Sequence, residues 1–288
     1  MKKNNKFYNA YYKLSIVIDK ILMNFDCYRR YKKIKYEKWV DNYKKQLERN
    51  AINAGEYYEM ENNEYIVHFK SPNVAYYLPY YKEDLIQQTI ISTANYYEIK
   101  SLNYICKEWK EGIVGKTIQG KCICDIGANI GNHSLYFALE CSVAFEYIFE
   151  PIKDTYYILK RNISLNGLDE KTSLFNVGVG EKKAYSSISS YDKGNTGGTS
   201  LSLCENGNIP IISIDSLNIE REIALVKIDV EGFEVSVIKG MISILKKYHP
   251  YIMIEIQTEN FEEISTILQE LTYRYEKLDE YNYLFYVN

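Results

Sequence analysis

The chain has 288 residues, 46% of them hydrophobic, and a net charge of −3. It is long enough for one large domain with an extension, and a balance so close to neutral does not read as a nucleic-acid binder. Its 30 tyrosines, with frequent Asn, Lys and Ile, fit an A/T-rich coding sequence better than a functional array. Six cysteines without a CxxC pair and only three histidines speak against zinc. The thiols are expected to be reduced in a cytoplasm.

The first 50 residues carry 14 Lys+Arg against 5 Asp+Glu, which leaves the remainder at −12. Tyr11, Leu14, Val17, Ile18, Ile21, Leu22 and Phe25 recur at helical spacing and predict a helix. Asp19 and Lys20 interrupt the apolar stretch and no small-residue cleavage site follows, so it does not read as a signal peptide. No run is long enough to span a bilayer. A basic amphipathic helix within residues 7–50 suits peripheral contact with an anionic membrane, a partner or, most commonly, its own domain. The expected location is the cytoplasm, at the inner membrane surface where the helix meets lipid, and a homodimer is compatible with this reading.

Farther on, Glu64 to His68 and Val74 to Leu78 read as strands about the turn Ser71-Pro72-Asn73. Residues 1–80 are expected to form a basic helix and hairpin, and 81–288 the main domain. Glu83 to Ala94 and Leu102 to Lys110 read as helices. Strand and helix then alternate: Cys122 to Ile126, a helix to Glu140, Ala144 to Phe149, a helix from Asp154 to Leu165, and Ser173 to Val177. Such alternation predicts a doubly wound α/β fold with a mostly parallel sheet and ligands at the carboxyl ends of its strands. Cys122 and Cys124 share one face of a buried strand, so packing explains them. The pattern breaks at strands Ala184 to Ser190 and Pro210 to Ile214. Between them, Gly194-Asn195-Thr196-Gly197-Gly198-Thr199-Ser200 is a loop over the site or an ordinary surface hairpin. Alternation resumes with Ile223 to Val230, a helix from Glu234 to Lys247, Tyr251 to Ile256 and a helix from Phe261 to Tyr273. Tyr275 to Val287 reads as a hairpin around Asp279-Glu280.

The most informative segment is Asp125-Ile126-Gly127-Ala128-Asn129-Ile130-Gly131, a glycine turn that closes a strand and opens a helix. Glycines there allow positive φ and close backbone approach, and the helix start favours an acceptor-rich ligand. A dinucleotide fingerprint wants three glycines as GxGxxG. Only Gly127 and Gly131 are present, and Asp125 at the strand tip would repel a pyrophosphate. An acid there suits S-adenosylmethionine, which carries an ammonium and a sulfonium. Glu150, closing the next strand, stands where a ribose-binding carboxylate belongs.

Gly127-Ala128-Asn129-Ile130-Gly131 with Phe149-Glu150-Pro151, Asn162, Leu165-Asn166 and Val226-Lys227-Ile228-Asp229-Val230-Glu231-Gly232-Phe233-Glu234 resembles the FkbM family of S-adenosylmethionine-dependent methyltransferases. The resemblance covers about residues 83–257, from Asp84-Leu85-Ile86-Gln87 and Tyr97-Glu98 to Glu255. It implies a seven-stranded, Rossmann-like methyltransferase sheet. It also implies cofactor contacts from Tyr97, Glu98, Asp125, Gly127, Asn129, Ile130, Gly131, Glu150 and Pro151, with Asn176 and Val177 near the adenine. One departure is Gly178, where members often carry alanine.

Chemistry is expected at the end of the fourth parallel strand. Lys227 and Asp229 alternate with Val226, Ile228 and Val230 and so project from one face. O-methyl transfer needs a positioned hydroxyl and removal of a proton from a poor acid. Asp229 is the expected general base, Lys227 tunes it or anchors substrate, and Glu231 and Glu255 crowd the same place, so like charge should raise one pKa. Glu234 reads rather as a helix start. His133, just after the glycine turn, is the other candidate base. The family resemblance implies a hydroxyl of a sugar, glycan or related metabolite as acceptor. Asp229 with Glu255 could form half of a divalent-metal site, but the region lacks the adjacent Asp-Asn with which catechol-type methyltransferases complete theirs, so no metal is expected. A cofactor-binding scaffold without catalysis in a glycan biosynthetic complex is the alternative.

Overall fold

The computed structural model describes residues 57–61, 64–190 and 194–287. The basic helix expected within residues 7–50 lies outside the described residues. Residues 51–288 belong to one compact unit.

It opens with strands β1 (Tyr57–Glu61), β2 (Glu64–Lys70) and β3 (Asn73–Tyr77), an antiparallel three-stranded sheet. The hairpin read from sequence is β2 and β3. Val67, Phe69, Val74 and Tyr76 from these strands are buried in one core with the main domain. Two asparagines fasten β3 to helix α5 (Lys153–Leu165) and its cap: Tyr77 N donates to Asn162 Oδ1 (2.6 Å), and Asn166 exchanges bonds with the Ala75 amide (2.9 Å) and carbonyl (2.7 Å). The side-chain amides act as surrogate backbone for an edge strand.

Helix α1 (Leu85–Thr93) starts at Asp84, whose carboxylate accepts from Gln87 N at 2.9 Å. The helix expected over Leu102 to Lys110 is instead a composite: α2 (Ile99–Asn103), a π turn (Tyr104–Glu108), a 3₁₀ turn (Trp109–Gly112) and α3 (Ile113–Ile118). Positive φ at Lys110 and Glu111 breaks the path, and Gly115 then packs on the Cys106 carbonyl, where a Cβ would overlap.

The central sheet has seven strands in the order β13, β14, β12, β11, β4, β5, β6. β4 (Cys122–Ile126), β5 (Phe145–Phe149), β6 (Thr172–Phe175), β11 (Ile223–Ile228) and β12 (Tyr251–Glu255) run parallel, while β14 (Asn282–Tyr286) and β13 (Arg274–Lys277) add an antiparallel edge. Both faces are covered, as near-continuous apolar strands require. Ile123, Ile148 and Leu225 face a core shared with α5 and with α4 (Asn132–Glu140); Cys122, Cys124, Val226, Ile228 and Ile254 face the other. From β4 the chain steps one way to β5 and β6, then returns to β11 on the other side. The switch point, where ligands bind in open α/β sheets, therefore lies between β4 and β11.

Between β6 and β11 a second sheet forms, in the order β7 (Gly178–Val179), β10 (Ile209–Ile212), β8 (Ala184–Ser190), β9 (Ser200–Leu203). The helix expected from Glu234 to Lys247 is two: α6 (Glu234–Lys239) and α7 (Ile242–Tyr248). At the break Gly240 presses on the Gly180 carbonyl so closely that a Cβ would overlap it. Asp215 caps the second helix by accepting from Ser243 N (2.8 Å) and Ile244 N (3.1 Å). Amphipathic α8 (Phe261–Glu270) then leads into β13. Among the described residues no helix is long and apolar enough to cross a membrane.

Candidate active site

A cavity of about 400 Å³ opens at the switch point. Its floor is the glycine turn. Gly127 has φ +76°, and a Cβ there would overlap the Asp229 carbonyl, so only glycine lets the turn pass against the end of β11. Gly127 N and Ala128 N both donate to Phe149 O at 3.0 Å, tying the turn to β5. Gly131 (φ +86°) starts α4 and packs on Leu159. Asn162 Nδ2 holds the Ile130 carbonyl at 2.8 Å, so the asparagine that fastens β3 also fixes the turn.

Glu150 is buried at the end of β5 and accepts from Asn129 N (2.9 Å) and Ile152 N (2.8 Å). Burial pushes its carboxyl up to about 7, against the lowering effect of those two amides. On the far wall, Asn132 clamps Tyr97 by accepting from its N–H (2.8 Å) and donating to its carbonyl (3.0 Å). Beside it Glu98 lies 3.3 Å from His133 Nε2, and the nearby imidazole lowers the Glu98 pKa despite partial burial. Burial, with the carboxylates Glu98, Asp229, Glu255 and Asp84 nearby, raises the Tyr97 phenol to about 12.

Lys227 is the electrostatic hub. Its Nζ donates to Gly127 O at 2.7 Å and lies 3.4 Å from both Asp125 Oδ1 and Asp229 Oδ2. Burial disfavours the ammonium, but the two aspartates outweigh it and hold the pKa above the usual lysine value. Asp125 is wholly buried, with Ser134 Oγ donating to its other oxygen at 2.6 Å. The cation this strand-tip acid meets is thus Lys227, and Asp125 does not line the cavity.

Tyr97, Glu98, Gly127, Asn129, Ile130, Glu150, Pro151, Val177, Lys227, Asp229, Glu231 and Glu255 all line it; Gly131 and Asn176 do not. Asn176 works behind the wall, donating to the carbonyls of Glu150 (2.9 Å) and Pro151 (3.1 Å). Gly178 lines the cavity against Ile211, on which a Cβ would impinge. Glu234 is spent on Gly232 N (2.6 Å) and Asn260 Nδ2 (2.6 Å). The upward shift expected from crowded acids falls on Glu231 and Glu255. Burial first, then Asp229 and Glu234, raises Glu231; burial, then Asp229, Glu231 and Glu98, brings Glu255 to about 7.

The Gly/Thr loop completes the wall: residues Asn195 to Thr199 line the cavity. It is tethered across the chain to Asp84, whose Oδ2 accepts from Thr196 N (3.0 Å) and Oγ1 (2.8 Å), while Leu85 N donates to Gly194 O (3.0 Å). Asp84 thus caps α1 and holds the loop. Sequence reasoning also missed Asp279, Tyr281 and Asn282, which line the cavity from the β13–β14 turn. No periodicity or spacing marks a turn for reaching a site built on other strands.

S-adenosylmethionine suits this lining. The volume falls within the roughly 300–1,000 Å³ of small-molecule sites. Asn129 Oδ1 is a buried acceptor without a hydrogen-bond partner among the described residues, and the donor carries an ammonium and hydroxyls able to satisfy such a group. The buried Glu150 carboxylate keeps lone pairs beyond its two amide bonds for ribose hydroxyls.

The family profile described as methyltransferase FkbM domain matches residues 125–275. Among solved structures, a methyltransferase FkbM from Methylobacillus flagellatus KT is 18% identical, over 69% of this chain and 52% of that one, with a TM-score of 0.46. The chain thus spans about half the length of that structure. A human methyltransferase 10 domain containing protein is 15% identical over 66% and 82% (TM-score 0.41), and an rRNA methylase from Streptococcus thermophilus 10% over 61% and 92% (TM-score 0.39). No curated protein matches the sequence. With more than half of its length inside the matched domain, the chain belongs to the FkbM methyltransferase family.

Proposed function

We propose that the chain is an O-methyltransferase acting on a hydroxyl of a sugar, a glycan or a related metabolite. The observation that carries this reading is a pair of carboxylates at neighbouring strand tips. Ile228 pairs with Ile254 in register, so Asp229 and Glu255 follow side by side, and both line the cavity next to the glycine turn. Alcohol methylation asks for such a pair, because the nucleophile is a poor acid that must be aimed and then relieved of its proton.

Bound S-adenosylmethionine supplies an electrophilic methyl carbon on a sulfonium. Glu150, Asn129 and the backbone of the glycine turn would hold it, with Glu98 and Tyr97 at the opposite wall. Asp229, oriented by Lys227 at 3.4 Å, accepts a hydrogen bond from the acceptor hydroxyl. The proton passes to the Asp229–Glu255 pair, in which Glu255, brought to about 7, is matched to neutral pH. The loop from Asn195 to Thr199 screens the reacting atoms from water. A glycan made at an anionic membrane surface on the cytoplasmic side accords with the basic first 50 residues.

The test is Asp229→Ala with a panel of hydroxylated glycans, following methyl transfer alongside donor binding by calorimetry. Loss of a base of this kind costs roughly 100-fold or more in turnover. Full transfer by the variant defeats the assignment of Asp229, and a wild type that binds the donor yet methylates no glycan defeats the substrate class.

A further inference from the structure

Beyond residue 275, where the family match ends, the turn between β13 and β14 reaches the cavity with Asp279, Tyr281 and Asn282. The turn is built rigidly. Asp279 Oδ1 accepts from Tyr281 N (3.0 Å) and Asn282 N (2.9 Å), Asn282 Nδ2 donates to both carboxylate oxygens (3.2 and 3.1 Å), and Leu278 N closes the turn on Asn282 O (2.9 Å). It is also fixed to the catalytic edge: Ile256 N donates to Tyr281 O at 2.8 Å, and Asn282 pairs in register with Glu255. Tyr281 is therefore held beside the carboxylate that faces the acceptor.

Its ring is left open where its neighbours' rings are used. Tyr275 and Tyr283 pack on Phe261, on Phe285 and on each other. Tyr281 is 43% exposed and stacks on no other ring among the described residues. An exposed tyrosine on a pinned turn presents a rigid apolar face with a polar tip at low entropic cost. One face of a pyranose ring is a patch of polarised C–H bonds, complementary to the negative face of an aromatic ring. We propose that Tyr281 is the acceptor platform of this enzyme, a specificity-determining residue on which a sugar ring lies while its hydroxyl reaches Asp229 and Glu255. This inference rests on the sugar or glycan reading above.

The experiment compares wild type, Tyr281→Ala and Tyr281→Phe in steady-state methyl transfer to the same glycan panel, with donor affinity measured separately by calorimetry. Tyr281→Ala is expected to raise the acceptor KM roughly ten-fold, the scale of a lost stacking contact with its burial. The loss falls on KM more than on kcat, donor affinity is retained, and Tyr281→Phe recovers most of the acceptor affinity. An alanine variant with the wild-type acceptor KM overturns the platform while leaving glycan methylation standing. Equal losses of donor and acceptor affinity also overturn it, by showing a merely structural residue. A wild type that transfers methyl to other acceptors but to no glycan overturns the substrate reading itself, and the sugar platform with it.

Discussion

Replacing Lys227 by methionine keeps most of the alkyl stem and removes one buried charge. At 3.4 Å from each of Asp125 and Asp229, the ammonium gains about 5 kcal/mol of gross attraction per pair at an effective dielectric of 20. Desolvation offsets much of this, and the Asp229 share is screened because a third of that side chain is exposed. What dominates is the wholly buried Asp125, which would keep only the Ser134 hydroxyl. Stranding a buried charge in this way costs about 3–5 kcal/mol, or a fall in Tm of roughly 6–20 °C for a domain of this size. Urea and thermal unfolding of Lys227→Met measure it, and Asp125→Asn in the same background should return at least about 1 kcal/mol, because the orphaned charge is then gone. A loss under about 1 kcal/mol, or strict additivity of the two changes, refutes the hub.

If Glu150 holds the donor ribose as proposed, donor binding should depend on pH. Its folded-state pKa, raised to about 7, lies above its unfolded value, so its contribution to folding is full at acid pH and is lost as pH rises toward 7, on the order of 3 kcal/mol in all. Ribose hydroxyls favour the ionised form, so donor affinity should rise with pH up to about 7 and then level; a flat calorimetric profile between pH 5.5 and 8 speaks against this contact. Glu255→Gln should abolish the rise of kcat with pH near 7 that an ionising base of this pKa produces, and a retained limb would assign it to another group. Asp84→Ala removes a helix cap together with both Thr196 contacts, for an expected loss of about 2–3 kcal/mol by urea denaturation and a higher KM for the acceptor. Stability within about 0.5 kcal/mol of wild type would show that the loop does not depend on Asp84.

What was legible in the sequence is what local pattern determines. The strand β4, its glycine turn and α4 are adjacent in the chain, and their order is written in Gly127, Gly131 and the apolar runs around them. The parallel strands follow from alternation, and the acids at their ends from simple counting. Less legible were features decided by contacts made at a distance. The break between α6 and α7 depends on Gly240 meeting Gly180 and on Asp215 supplying a cap from 28 residues away. Strand β9, only Ser200–Leu203, pairs on one side alone and follows directly on a glycine loop, so its short alternation is masked. Asp84 falls within the helix predicted from Glu83, and nothing near it announces Thr196, 112 residues on.

The arrangement also separates the roles of acids that look equivalent in sequence. Asp125 lies one residue before the end of β4, Asp229 follows β11 and Glu255 ends β12, all neighbouring parallel strands, and Lys227 is placed by register opposite Asp125. One lysine cannot serve three carboxylates. It lies between the two aspartates and leaves Glu255 among Asp229, Glu231 and Glu98, where burial and like charge raise it to about 7. The same ammonium bonds the Gly127 carbonyl, so the glycine turn and the Asp229 carboxylate share one support. The switch point therefore does more than open a crevice. By bringing β4 and β11 side by side, it lets a single lysine hold the glycine turn and the Asp229 carboxylate together, so under the proposed function a shift at either strand tip should be felt at both ends of the transfer.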